Sequence, residues 1–142
     1  MLTSVLPLLF VIGSIATLGL TGNLFSSSPF VIAPQVAAIG LGIWARRSFR
    51  NGAFRVTATP AGSSIIREGP YRALRHPMYS AALLLTWSGV VSHASVLTLA
   101  IGVAVTGLTI ARVSAEERLL AARFADYPDY ARSTKALVPF LL

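Results

Sequence analysis

Ser95-Val96-Leu97-Thr98-Leu99-Ala100-Ile101-Gly102-Val103-Ala104-Val105-Thr106-Gly107-Leu108-Thr109-Ile110-Ala111 carries no charge and stops at Arg112. A helix rises about 1.5 Å per residue, and about 17–25 apolar residues cross the hydrocarbon core of a bilayer. This stretch stands at the lower limit, so its neighbours decide how it is read. Immediately upstream, Ser92-His93-Ala94-Ser95 leaves room only for a tight helical hairpin to a second apolar run over 79–91. That run is long enough to span only when its flank at 75–78 is counted. Two further apolar segments lie at 2–20 and 29–45, joined by an uncharged link.

Composition agrees. The chain has 142 residues, 54% hydrophobic and 12% charged, with mean hydropathy +0.69. A soluble domain carries about 25% charged residues. The absence of cysteine removes disulfides, zinc-cysteine sites and thiol nucleophiles together, and no other pattern of metal ligands appears. The net charge is +7, yet no charged residue precedes Arg46. A nucleic-acid surface would set Lys and Arg among polar residues, whereas here arginines flank apolar runs, which suits lipid headgroups and membrane orientation. Residues 1–20 hold no Lys or Arg, unlike the basic start of a secretory signal, so the first segment reads as a retained helix.

The stretch 46–75 holds Arg46, Arg47, Arg50, Arg55, Arg67, Arg72 and Arg75, and the tail adds Arg112, Arg118, Arg123, Arg132 and Lys135. The positive-inside rule puts both stretches in the cytoplasm, which requires an even number of crossings with both termini inside. The expectation is an all-α integral membrane protein, multi-pass, in one domain over 1–142. Four transmembrane helices fall at about 2–20, 29–45, 76–92 and 95–111, and a cytoplasmic interfacial helix at about 114–125. Pro7 and Pro34 would kink their helices unless neighbours satisfy the freed carbonyls. Ala38 and Gly42, four apart, permit close packing. Gly40-Leu41-Gly42 follows no strand, so it reads as packing rather than a nucleotide fingerprint.

In the tail, Ser114-Ala115-Glu116-Glu117 matches a capping box that would start the interfacial helix. Leu119, Leu120 and Phe124 give that helix an apolar side. Pro128 interrupts it, and Tyr127, Tyr130, Pro139 and Phe140 suggest a segment lying against the bundle.

Chemistry-bearing residues cluster in Gly69-Pro70-Tyr71-Arg72-Ala73-Leu74-Arg75-His76-Pro77-Met78-Tyr79 and in Arg112, Glu116 and Glu117. A structural account covers most of them. Arg75 anchors a membrane helix, Pro77 sits in its first turn and Tyr79 belongs to an interfacial aromatic belt. Arg112 and Glu116 form an ordinary i,i+4 pair worth roughly 0.2–0.5 kcal/mol. His76 is left unexplained, and an ion pair at the end of an apolar helix lies near the bilayer boundary, where ionisable groups point to function. His93, in the opposite hairpin turn, reads as structural or incidental.

The string Gly-Pro-Tyr-Arg-x-x-Arg-His-Pro-Met-Tyr at 69–79, then Glu-Glu-Arg-Leu-Leu-x-x-x-Phe at 116–124 and two spaced tyrosines before Val-Pro, resembles the isoprenylcysteine carboxyl methyltransferase family. The resemblance covers roughly 65–139, and residues 1–64 match only in hydrophobic character. It implies a membrane enzyme, surrounded by membrane lipids, that uses S-adenosylmethionine in a cavity open to the cytoplasm on a lipophilic small molecule or lipidated substrate. It implies that Tyr71, His76, Pro77, Met78 and Tyr79 line the cofactor pocket, that Ile65 and Ile66 flank it, and that Glu116 binds the cofactor. Arg112 falls where the family places a catalytic arginine that handles the substrate carboxylate, and Arg75 and Glu117 are further candidates. A carboxylate acceptor is already ionised at neutral pH, so alignment and desolvation carry the reaction, whereas an amine must first lose a proton. Two alternatives stand beside this reading, an NADPH-dependent relative of sterol-type reductases and a non-catalytic scaffold that keeps the fold. The family's Phe-Gly is Phe124-Ala125 here, and the tyrosines are one residue closer together.

Overall fold

The computed structural model describes residues 2–48 and 65–137. Arg50, Arg55, Pro139 and Phe140 therefore lie outside the described residues. Among the described residues five α-helices follow one another: α1 (Leu2–Leu20), α2 (Pro29–Arg47), α3 (Pro77–Ser92), α4 (Val96–Arg123) and α5 (Tyr127–Ser133), with a 3₁₀ turn at Gly69–Arg72 before α3. No strand occurs among the described residues, and a single parallel bridge joins Leu74 to Lys135.

Local chemistry sets the helix ends. Proline opens α2 and α3, where its fixed φ suits the first turn and its missing N–H costs nothing. The same holds at Pro128, which lies in the first turn of α5 rather than merely breaking the preceding helix. Arg46 and Arg47 occupy the last turn of α2, where cations complement the helix dipole. The prolines at 7 and 34 lie inside helices that continue through them.

The separate interfacial helix at 114–125 is not found. α4 runs unbroken for 28 residues, so Ser114 sits in its interior and caps nothing. No Gly or Pro occurs between Ala111 and Glu117, so nothing stops the i→i−4 ladder there. The capping box of α4 is at Ser95, whose hydroxyl accepts from Thr98 N at 3.1 Å while Thr98 Oγ1 accepts from Ser95 N at 2.9 Å.

Among the described residues two helices, α2 and α4, are long and apolar enough to cross a membrane, where four were expected. α3 has 16 residues and so rises only about 24 Å, short of a core about 30 Å thick. The surface nevertheless reverses the pattern of a water-soluble bundle. Phe30, Val36, Val96, Leu97 and Val103 point outward, while Ser80, Thr86, Ser88, Thr98 and Thr109 are buried. Small and hydroxylic residues between helices with large apolar ones outside is the arrangement lipid favours.

α2 packs most extensively on α3, and α4 contacts both α1 and α3. Gly42 brings α2 to α3, since a Cβ there would lie 3.7 Å from Ala81 Cβ, and Ala38 is buried one turn earlier. Gly40 faces open space. At the far end of α3, a Cβ on Gly89 would stand 3.0 Å from the carbonyl oxygens of Asn23 and Leu24. The α1–α2 link thus folds over α3, and Gln35 Nε2 secures it by donating to Leu24 O at 2.6 Å. Trp87 Nε1 donates to Thr106 Oγ1 at 3.0 Å between α3 and α4.

Candidate functional site

The continuous α4 carries Arg112, Glu116 and Glu117 beyond its apolar stretch and beside the start of α3. Arg112 is 5% exposed. Its Nε donates to the Tyr79 hydroxyl and, at 3.1 Å, to Glu116 Oε1, which also accepts from Tyr79 Oη at 2.6 Å. The i,i+4 pair is therefore real, but the helix turns it inward onto α3 instead of displaying it on a surface. The Arg112 guanidinium also lies over the Tyr79 ring, 5.8 Å from its centroid.

His76 precedes α3 and stands between the two glutamates. Nδ1 lies 3.7 Å from Glu116 Oε2 and Nε2 3.3 Å from Glu117 Oε1. The ring is 7% exposed, and its Nε2 has no hydrogen-bond partner. Arg75 Nε donates to Glu117 Oε1 at 2.6 Å. The structure thus brings Arg75, His76, Tyr79, Arg112, Glu116 and Glu117 into one network. Pro77 is buried in the first turn of α3 and Met78 half-buried beside it.

Tyr71 is buried in the 3₁₀ turn, and its carbonyl accepts from Tyr130 Oη at 2.8 Å. Burial, with Tyr130 and Glu116 adding to it, pushes the Tyr71 phenol well above its ordinary range. Burial likewise raises Tyr127, reinforced by Glu117, and pushes Tyr130 up to about 12 against the opposing pull of Arg75 and Arg67. All three phenols stay neutral at physiological pH. Gly69 enters the turn at φ +57°, tight against α2, where a Cβ would fall 2.3 Å from Ser48 Oγ and 3.1 Å from Trp44 Nε1. Ile65 and Ile66 lead in half-buried, and nothing in the geometry ties them to the charged network.

Several participants were not among the expected site residues. Tyr127 is 3% exposed, and its hydroxyl is buried without a hydrogen-bond partner. The backbone at 134–136 pairs with 73–76: Lys135 N donates to Ala73 O at 2.9 Å and His76 N to Ala136 O at 3.0 Å. Ser80 Oγ reaches Leu137 O, and Arg67 pairs with Asp126 at 2.6 Å. The spaced tyrosines, with Pro128, Pro139 and Phe140, were the sequence signal for this region. A cavity of about 290 Å³ opens beside the network between Arg75, Glu117, Ser114, Val113 and Leu137. The Phe124-Ala125 departure has a local explanation. Tyr127 N donates to Phe124 O at 3.1 Å and Asp126 sits at φ −90°, ψ 2°, a type I turn in which alanine replaces glycine without strain.

The profile of the family described as phospholipid methyltransferase matches residues 35–127, well over half of the chain. The chain is also similar to the cobalt-zinc-cadmium resistance protein CzcN of Cupriavidus metallidurans, 31% identical over 80 residues. That match covers 56% of this chain and 37% of the relative, so the chain spans little more than a third of that protein's length. No solved structure matches.

Proposed function

The chain belongs to the phospholipid methyltransferase family, and on that premise we propose that it transfers a methyl group from S-adenosylmethionine to a lipophilic acceptor, a carboxylate, at the Arg112–Tyr79–Glu116 network. One observation carries the proposal: a buried arginine bonded to a tyrosine and a glutamate where the apolar stretch of α4 ends. Taking an isolated charge out of water is costly, so such groups persist near a membrane where they serve a ligand or reaction.

The chemistry of the nearby residues supports this cofactor, and of them Glu117 lines the cavity. Orphaned polar atoms on His76 and Tyr127 and the carboxylates of Glu116 and Glu117 bring donors and acceptors together beside a cavity. Glu116 would hold the ammonium group, His76 the carboxylate, and Tyr71, Pro77, Met78 and Tyr79 the adenine side, with Ile65 and Ile66 at its edge. Bound there, S-adenosylmethionine supplies a methyl group on a sulfonium. Arg112 attracts and orients an acceptor carboxylate, and Tyr79 fixes the Arg112 side chain through its hydroxyl. The apolar surround excludes water, which strips the carboxylate of solvation and sharpens its nucleophilicity. No general base is required, because that acceptor arrives ionised.

In this reading α1 and α3 cross the bilayer together with α2 and α4, and both termini face the cytoplasm. The support is the asymmetry of charge: Arg46, Arg47, Arg67, Arg72, Arg75 and all charges from Arg112 onward lie towards one end of the helices, and the Thr21–Ser28 and Ser92–Ser95 links are uncharged apart from His93.

The test is calorimetry of S-adenosylmethionine on detergent-solubilised protein, followed by labelled methyl transfer to a lipid extract. Saturable binding that Glu116→Gln and His76→Ala both weaken is expected, with a base-labile ester as product. Folded protein that binds no S-adenosylmethionine would refute the proposal, and tighter binding of NADPH would favour a reductase. A base-stable product would move the acceptor from carboxylate to amine.

A further inference from the structure

Arg75 does not behave as a membrane anchor. An anchoring arginine extends its head towards lipid phosphates, but the Arg75 side chain is only 12% exposed and its guanidinium turns inward. Nε donates to Glu117 Oε1 at 2.6 Å, and Nη1 to Ala131 O at 2.8 Å and Thr134 O at 2.6 Å. Its own main-chain N–H donates to Lys135 O at 2.7 Å. Ala131 lies in the last turn of α5 and Thr134 is its C-cap, so these carbonyls lack donor partners within the helix. Arg75 supplies the missing donors from outside the helix, as basic side chains do at helix C-termini.

The same guanidinium places Glu117. Glu117 Oε1 takes the Arg75 bond and stands 3.3 Å from His76 Nε2, so the position of the carboxylate against the imidazole depends on Arg75. The two adjacent glutamates are thereby divided: Glu116 engages Tyr79 and Arg112, and Glu117 engages Arg75. Arg75 and Glu117 both line the cavity, with Ala136 and Leu137 from the segment that Arg75 holds.

We propose that Arg75 is a positioning residue for the cofactor site, gathering the end of α5, the 134–136 backbone and the Glu117 carboxylate into one frame around His76. The link to the cofactor rests on the proposed function, whereas the frame itself does not. Lysine cannot substitute, because a single ammonium nitrogen cannot reproduce a planar fork whose Nε and Nη1 serve acceptors in different directions.

Arg75→Lys separates this role from anchoring, since lysine would anchor equally well. Two quantities are measured on the full-length variant in detergent: amide hydrogen exchange at Lys135 and His76, and the dissociation constant of S-adenosylmethionine. Exchange at both amides should accelerate about tenfold or more, and affinity should fall by a similar factor, the scale of one lost charged hydrogen bond. Protection in α1 and α2 should be unchanged. Should Arg75→Lys fold poorly, Arg75→Ala with added methylguanidinium serves instead, and the additive should restore both quantities. Wild-type exchange in Arg75→Lys, or no rescue of Arg75→Ala, overturns the proposal. If the wild-type protein binds no S-adenosylmethionine, the functional reading fails while the exchange result still decides the role of Arg75.

Discussion

The two ends of the helical bundle solve the problem of polar groups in opposite ways. At the arginine-poor end, satisfaction is mostly local, with Gln35 reaching Leu24 O eleven residues away as the exception. Thr21 bonds back one turn to Thr17, Ser95 and Thr98 cap each other, and the Thr98 hydroxyl donates to His93 O at 2.9 Å. At the arginine-rich end almost every important bond joins residues far apart in sequence. Tyr79 reaches Glu116 and Arg75 reaches Glu117, 37 and 42 residues away, and Tyr130 reaches Tyr71 across 59. A neutral end of this kind closes the turns between helices. Buried charges held by distant partners cost desolvation, and their retention singles out the end that carries the candidate site.

That contrast can be broken by substitution. The largest effect is expected for Arg112→Ala, which leaves Glu116 without its buried cation and removes the proposed carboxylate anchor. Methyl transfer should fall to background, and stability should drop by about 3 kcal/mol, as for other broken buried pairs. Labelled-methyl assays and denaturant unfolding in detergent measure the two, and near-normal transfer would sink the assigned role. Next comes Gly89→Ala at the opposite end, where the new methyl meets two backbone oxygens at 3.0 Å that cannot rotate away. A loss of about 1–3 kcal/mol is expected in the same unfolding experiment, with cofactor affinity unchanged. An altered affinity there would mean that the two ends are coupled.

Ser95→Ala removes one half of the capping box of α4 and should cost about 1 kcal/mol, read as a lower melting temperature. Activity should follow wild type below the transition. The smallest effect belongs to Ala125→Gly, which reinstates the glycine that the family pattern carries. Because the type I turn does not need a positive φ at that residue, the change should only loosen the unfolded chain, lowering stability by about 0.5 kcal/mol. A gain in stability would show that the turn is under strain.

Helices were legible where a local signal reported them. Apolar length located α1, α2 and α3 nearly to the residue, and Pro77 at the start of α3 followed from proline's preference for a first turn. Ser114-Ala115-Glu116-Glu117 misled for an equally local reason. A capping box starts a helix only where the preceding residues leave helical geometry, and Arg112 and Val113 do not. The 3₁₀ turn and α5 carried too few residues for any periodicity to emerge. The pairing of 73–76 with 134–136 had no local signature at all, because a two-segment bridge depends on where the intervening helices deliver its partners.

For the site, the motif residues identified Arg112, Glu116, His76 and Tyr79 as a group, and the family match over 35–127 agrees with the kind of protein they suggested. By itself the sequence determined an all-helical chain with lipid-compatible surfaces and charge gathered at one end, because hydrophobic length and charge placement are properties of a linear string. Only the tertiary structure decided that Arg112 turns inward, that His76 stands between two glutamates, and that Arg75 holds the end of α5 instead of the membrane. Those facts depend on which face of each helix meets its neighbour, and side-chain direction at a packed helix end is settled by distant partners competing for the same few donors and acceptors.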